Sequence, residues 1–321
     1  MIVTYVCQFH KQPAAAGSVL LAVLCLTAVL SFLVITTAVM SREHGEMQYA
    51  RTSRTRARQL AEKGIAVAAH PLIKAGDPLL RSSVAGVEGY EARLSTEERK
   101  LNLNALLTPD KLPLLERVFM SWGLTLADAQ DIAASFMDWT DADDLKRRPG
   151  SAEKVDYDLQ GRSGLPLNRP FSNFSEVGLV ARADELDAVK PGWRDWFTLR
   201  GNGLLDVNTA SAEVLSAVSG TTLETAEQVV SARNGPDRLP HTADDVPFRS
   251  LESVMSLLGG AAGARADLLP QLTLQGTTRH VESIGMAGDA LCGIAVVLDT
   301  KEGAPRMIEW SEFPVKGERG P

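Results

Sequence analysis

The chain has 321 residues, a formal net charge of −7, 45% hydrophobic and 23% charged residues. That is the composition of a globular protein of one to three domains, and it excludes a collagen-like or largely disordered chain. The acidic balance argues against a protein that coats nucleic acid, and Cys7, Cys25 and Cys292 supply neither a disulfide framework nor a zinc-type spacing.

Residues 18–40 carry no charge. A helix of that length spans a hydrocarbon core of about 30 Å. The small residues Ala14-Ala15-Ala16-Gly17 precede the apolar run instead of following it, the reverse of an ordinary cleaved secretory signal, so the segment reads as a retained membrane helix. Lys11 lies before it; Arg42, Arg51, Arg54, Arg56 and Arg58 lie after it. By themselves these charges place the C-terminal part on the cytoplasmic side. Beyond the span, Ala50, Ala57, Ala61, Ile65 and Ala68 recur at intervals of three, four or seven and predict an amphipathic extension ending near His70-Pro71. Arg51, Arg54 and Arg58 share another face, either solvated or facing anionic lipid head groups.

The middle of the chain contains a repeat. Leu101-Asn102-Leu103-Asn104-Ala105 corresponds to Leu205-Asp206-Val207-Asn208-Thr209-Ala210, and aligning Leu126 with Leu223 also aligns Ala129 with Ala226 and Ile132 with Val229. Each copy predicts two helices joined by a short turn. Asn104, Asn208 and Thr209 are expected to act as local caps, accepting from nearby backbone N–H groups. The second copy resembles a helix-hairpin-helix module. Its turn, Gly220-Thr221-Thr222, lacks the second glycine of the DNA-binding form. Residues 203–260 carry eight acids against three arginines, and 101–144 carry eight acids against two basic residues. Phosphate binding relies on cations, so a packing unit is favoured and no nucleic-acid partner is expected.

Between the copies, Asp138-Trp139-Thr140-Asp141-Ala142-Asp143-Asp144 is followed by Glu153, Asp156 and Asp158. So many carboxylates repel one another unless a cation offsets them. Ca²⁺ takes six to eight oxygen ligands, and Asp138, Asp141, Asp143, Asp144, Glu153 and Asp156 are the candidates, although the spacing is not that of an EF-hand. A solvated loop paired with Lys146, Arg147 and Arg148, and a set of catalytic carboxylates, are the other readings. No convincing nucleophile, metal-bound histidine or phosphate-binding glycine loop accompanies the acids.

From Leu272 the pattern turns to alternation: Leu272-Thr273-Leu274, then Val281 to Gly288, the β-branched run Gly293 to Asp299, a turn at 301–305 and Arg306 to Phe313. These predict an antiparallel meander of about three strands, with the amphipathic helix covering one face.

A membrane helix continuing onto an antiparallel sheet is the pilin arrangement, and here the chain resembles the type II secretion minor pseudopilin K (GspK) family. The Asp138-Trp139-Thr140-Asp141-Ala142-Asp143 string is similar to a family motif, as is Leu205-Asp206-Val207-Asn208-Thr209-Ala210. The resemblance implies an α+β, pilin-like fold: an N-terminal transmembrane helix, an antiparallel sheet and a large all-helical insertion holding two helix-hairpin-helix-like (SAM-like) repeats. It implies a prepilin-type leader at 1–17 cut between Gly17 and Ser18, a transmembrane helix at 18–40, a helix extension and the start of the pilin-like domain at 41–98, the insertion at 99–265 and the terminal strands at 266–321. The family lacks the glutamate common at the fifth mature position, here Ala22. A non-enzymatic subunit at the tip of a pseudopilus follows, in the bacterial inner membrane with its C-terminal domain in the periplasm. Its partners would be other minor pseudopilins and a prepilin peptidase, and its only cofactor structural Ca²⁺. The alternatives are a membrane-anchored DNA-binding protein of the competence type and a membrane-anchored metal-dependent hydrolase.

Overall fold

A computed structural model describes residues 16–84, 87–240, 242, 244–259, 268–301 and 305–315. The chain forms two compact units, 1–55 and 56–321. The first helix, α1 (Ala16–Ala68), runs through the first unit and on into the second. It is the one helix among the described residues long and apolar enough to cross a membrane, with a mean hydropathy of 2.8 over its most apolar window and none of that window buried. Three of its threonines pair within the helix: the Thr27 hydroxyl donates to the Leu24 carbonyl, and Thr36 and Thr37 to that of Leu33. Such pairing is what a hydrocarbon environment demands. Most of the expected leader, 1–15, lies outside the described residues; Gly17 and Ser18 fall in the first turn of α1.

In the second unit the elements follow as β1 (Arg81–Val84), β2 (Glu88–Thr96), β3 (Leu101–Asn102), α2 (Leu103–Leu106), α3 (Leu112–Ser121), α4 (Leu126–Asp138), α5 (Lys154–Leu159), α6 (Phe174–Val177), α7 (Ala183–Val189), β4 (Phe197–Thr198), β5 (Leu205–Asp206), α8 (Ala212–Ser219), α9 (Leu223–Arg233), α10 (Leu251–Leu257), β6 (Leu272–Thr273), β7 (Thr278–Ala287), β8 (Ala290–Asp299) and β9 (Arg306–Phe313). Five strands make one antiparallel sheet in the order β1-β2-β7-β8-β9. The long excursion from β3 to β6 leaves the sheet after β2 and returns at β7, its hydrogen-bonded neighbour.

The expected three-strand meander is therefore extended by β1 and β2. The signal for β2 is in the sequence: Tyr90, Ala92 and Leu94 alternate with Glu91 and Arg93, and the first three are buried. Leu272-Thr273 is not part of this sheet; it pairs in parallel with Leu205-Asp206. The expected turn at 301–305 lies partly outside the described residues.

One face of the sheet packs on α1. Ala57, Ala61, Ile65 and Ala68 are buried as the stripe predicts, while Ala50 is exposed. Ala61, Ile65 and Ala68 share a core with Tyr90, Ala92, Leu94, Val281, Ile294 and Val296. Helix and sheet meet backbone to backbone at Gly285, where a Cβ would stand 1.9 Å from the Ala57 carbonyl oxygen and 2.4 Å from the Ala61 nitrogen.

A second, larger core fills the helical region. The hairpins α3–α4 and α8–α9 contribute Leu115, Val118, Phe119, Ala129, Ile132 and Phe136 from one and Val214, Leu215, Val218, Ala226 and Val229 from the other. The aligned pairs Ala129/Ala226 and Ile132/Val229 are all fully buried. Thr125 and Thr222, also aligned, are the N-caps of α4 and α9, accepting from Asp128 N and Thr225 N at 3.2 Å each. Gly123 and Gly220 both take positive φ in the turn before, the conformation glycine adopts without a steric cost. The C-terminal end of α8 is tied to α3, where Arg117 Nη1 donates to the Val218 carbonyl at 3.0 Å.

The expected caps need correction. Asn102 caps α2, accepting from Ala105 N, and Ser211 caps α8, accepting from Val214 N. Asn104 instead clamps a distant loop segment: its Nδ2 donates to the Phe171 carbonyl and its Oδ1 accepts from Phe171 N, each at 2.9 Å. Asn208 does the same to Phe248, at 3.1 and 2.8 Å, and also donates to the Leu274 carbonyl at 2.9 Å. Thr209 pairs its hydroxyl with that of Thr96. The amide side chain is short and two-sided, so it closes a non-local loop as readily as a local turn.

Candidate metal centre

The acidic loop begins at the C-terminus of α4. Trp139 anchors it: its ring stacks on Phe171 with centroids 6.0 Å apart and meets Tyr157 edge-on at 5.7 Å. Phe171 is the residue whose backbone Asn104 clamps, so the first copy of the repeat holds the floor of the loop. Burying Trp139 places Asp138 and Asp141 on the turn around it.

Asp138 is the last residue of α4 and has no exposed surface. A carboxylate at a helix C-terminus faces the negative end of the helix dipole, so this position is unfavourable without a cation. One oxygen, Oδ2, accepts from Ser151 Oγ at 2.5 Å and Arg147 N at 3.2 Å. The other, Oδ1, is buried without a hydrogen bond; Arg147 Nε approaches to 3.4 Å outside hydrogen-bonding geometry. Asp141 Oδ2 accepts from Arg147 Nη2 at 2.9 Å, while its Oδ1 is buried and unsatisfied. Glu153, 2% exposed, caps α5 and likewise keeps a buried, unsatisfied Oε1. One carboxylate oxygen from each of Asp141, Asp143 and Glu153 lies within 4.8 Å of the others.

Burial is the main force raising the Glu153 carboxyl to about 7, and the charge of Asp138 adds to it. Burial also raises Asp138 and Asp141. Three acids that resist ionisation together, each with an orphaned inward oxygen, form a site that a hard cation completes. The remaining candidates stand differently. Asp144 is exposed at the rim. Asp156 is committed elsewhere: Oδ2 accepts from Glu153 N as the reciprocal half of a capping box, and Oδ1 from Lys146 Nζ at 2.6 Å. Burial opposes the Asp156 charge, yet these bonds outweigh it and hold its carboxyl below the usual range.

The ion pairs expected of a plain solvated loop are also present. Lys146 pairs with Asp156, Arg147 with Asp141 and Arg148 with Asp131. They satisfy the outward oxygens and leave the inward ones. Nothing in the sequence marks Ser151 or the ties from Asp131 to Arg148 and Arg182; only the folded geometry brings them to the loop.

A membrane-length helix continuing into an α1-on-sheet unit, with a helical region looped out between β2 and β7, defines a pilin-like membrane protein carrying a large insertion. Two family models, each of type II secretion system protein K, match residues 99–190 and 205–275, together about half of the chain. The type II secretion system protein K of Pseudomonas aeruginosa is 29% identical over 154 residues, which are 46% of this chain and 45% of that protein, so the chain spans a little under half the length of this curated relative. The crystal structure of the GspK-GspI-GspJ complex from the type 2 secretion system of enterotoxigenic Escherichia coli contains a chain with the same fold, with a TM-score of 0.57 and 15% identity, covering 86% of this chain and 100% of that one. The chain belongs to the type II secretion system protein K family.

Proposed function

We propose that this chain is a non-enzymatic minor pseudopilin that caps a type II secretion pseudopilus and primes its assembly for export across the outer membrane. The observation that carries this reading is the insertion of the whole helical region between two neighbouring strands of a pilin-like sheet. A head of that bulk on a filament-forming unit suits a terminal position, where nothing packs above it. Ala22 fits the same place: a tip subunit has no neighbour above to neutralise a carboxylate at that position, and an unpaired charge in lipid is expensive. The solved relative is found with GspI and GspJ; equivalent minor pseudopilins are the partners proposed here. The membrane helix would sit in the inner membrane with the second unit in the periplasm.

The acidic loop belongs to this reading as a structural Ca²⁺ site. Asp138, Asp141, Asp143 and Glu153 would supply oxygen ligands, with Asp144 at the rim. When bound, the ion would offset the repulsion among these carboxylates and tie α4 to α5. No step of chemistry is assigned to it.

The test is the N-terminal mass of the chain expressed with its prepilin peptidase, together with export of a secreted substrate in cells lacking the endogenous copy. Cleavage before Ser18 and restored export support the proposal. A chain that keeps its N-terminus and leaves export unaffected would sink it. The competence-type DNA reading gains nothing from the geometry, because the largely exposed α8–α9 turn, Gly220-Thr221-Thr222, carries no cation of its own to meet a phosphate.

A further inference from the structure

Where the helical region leaves the sheet, His280 of β7 stands between two carboxylates. Its Nδ1 contacts Oε1 of Glu97 and its Nε2 lies 3.1 Å from Oε1 of Glu282. Glu97 sits in the short turn between β2 and β3, at the root of the helical region. The ring is 13% exposed and the Glu97 side chain 8%.

The neighbouring hydrogen bonds determine where the protons are. Arg200 N donates to Thr198 Oγ1, so the Thr198 hydroxyl is left to donate its own proton to Glu97 Oε2. Glu97 is thus an acceptor. Arg99 Nη2 lies 3.7 Å from the same Glu282 oxygen that the ring faces, which favours a charged Glu282. Both carboxylates accept, and only the imidazolium can donate from both ring nitrogens. A neutral ring would turn a lone pair toward one carboxylate and leave the buried Glu97 charge without its closest counter-ion.

We propose that protonated His280 is a latch between the five-stranded sheet and the helical region, and that raising the pH releases it. Thr198 belongs to β4, which pairs with β3, and Phe197 beside it is in the core of the helical region. The chain Arg200–Thr198–Glu97–His280–Glu282 therefore joins the two cores through polar groups. Lys100, Arg200 and Glu309 line the cavity of about 220 Å³ beside the ring, and Arg99 flanks Glu282. Arg200 is paired with Glu309 at 3.4 Å, so Lys100 supports Glu97 once the ring loses its proton, and Glu282 keeps Arg99 and also Arg93, which faces it across the β2–β7 ladder and is shared with Glu91. The net upward shift of His280, in which its bonds to Glu282 and Glu97 outweigh burial, agrees with the geometry.

The chain has five histidines, so ¹⁵N-histidine labelling of the full chain in detergent micelles gives a readable spectrum. The expected result is a His280 ring with both nitrogens protonated at pH 6.5, titrating above the ordinary histidine range. Amide exchange at 96–102, corrected for the intrinsic pH effect, should become at least tenfold faster across that titration. His280→Gln should abolish the pH-dependence of exchange. A neutral tautomer at pH 6, or junction protection that stays level through the titration, would overturn the proposal. The wild-type titration decides the matter even where the variant folds poorly.

Discussion

The two asparagine clamps offer the sharpest test of the packing argument, because one residue type does related work in both copies and the bonds can be counted. Asn208→Ala removes the reciprocal pair with Phe248 and the bond to the Leu274 carbonyl. Asn104→Ala removes only the pair with Phe171. With each net hydrogen bond contributing about 1 kcal/mol, and more where the abandoned partner stays buried, Asn208→Ala should cost about 3 kcal/mol and Asn104→Ala about 2 kcal/mol. Asn208→Asp should be at least as harmful as Ala, since a carboxylate would then face two carbonyl oxygens that now accept from Nδ2. Urea unfolding of the full chain in micelles, followed by tryptophan fluorescence, reads this directly. Trp122, Trp139, Trp193 and Trp196 all lie in the helical region, and only Trp310 reports from the sheet. The expected signature is a lowered midpoint with an unchanged slope. A larger loss at Asn104 than at Asn208, or an Asn208→Asp variant as stable as wild type, would refute the clamp reasoning.

Calcium at about 100 times its Kd should stabilise the chain by about 2.7 kcal/mol, raising Tm by roughly 4–5 °C for a protein of this size; identical melting in calcium and in chelator would remove the site. Glu153→Gln should lose that calcium response yet melt no lower than wild type in chelator, because it relieves repulsion from Asp138 and Asp141; a lower melting point in chelator would show the acid to be held by protein contacts alone. Gly285→Ala should cost about 3 kcal/mol by pushing α1 off β7, and a calorimetric change below about 0.5 kcal/mol would mean the helix is free to shift. Glu97→Gln should have a pH-dependent cost. Burial opposes the Glu97 charge, but its bonds to His280 and Thr198 prevail and lower it from 4.5 to about 2, so its contribution is full above 4.5 and lost as pH falls toward 2. His280 is raised above 6.5, so its contribution is full below 6.5 and lost as pH rises through its folded value. The difference between wild type and Glu97→Gln should peak between 4.5 and 6.5, and a cost that is flat with pH would contradict the pairing.

The features legible in the sequence are those whose cause is local. An uncharged run, a stripe of small residues at helical spacing and three strands of alternating polarity each declare themselves within about twenty residues, and each is present in the fold. The strand β2 alternates just as clearly, yet its partner β7 lies some 190 residues further along, and nothing in the short stretch Tyr90 to Leu94 announces that pairing. The caps failed for a related reason. An asparagine beside a helix start satisfies the local rule as well as the distant one, and only the position of Phe171 or Phe248 decides between them. In the acidic loop the candidate residues could be named, but their division could not. Lys146, Arg147 and Arg148 are adjacent in sequence, and only the fold shows that they reach outward oxygens and leave those of Asp138, Asp141 and Glu153 unsatisfied.

The junction between sheet and helical region shows how a bulky insertion can be held in a fixed pose. Apolar contact alone would permit sliding, because it is non-directional. Here the crossing is made by carboxylates with specific partners. Glu98, 1% exposed, accepts from Thr277 N and Oγ1 and from Thr278 N on the strand that returns to the sheet. Asp206, also buried, accepts from Thr96 Oγ1 and Gly276 N. A Cβ at Gly276 would stand 2.6 Å from both Glu98 Oε2 and Thr96 Cβ, so outgoing and returning chains are in contact there. Buried acids with several directed donors have one favourable arrangement, and the free energy rises steeply as the donors move away. Such a junction fixes the head on the sheet by directed bonds, which suits the proposed role of a filament subunit that presents one surface to its neighbours. The proposed calcium site lies elsewhere, between α4 and α5 within the helical region, so losing such an ion should loosen the head internally while leaving the Glu98 and Asp206 bonds to the sheet intact.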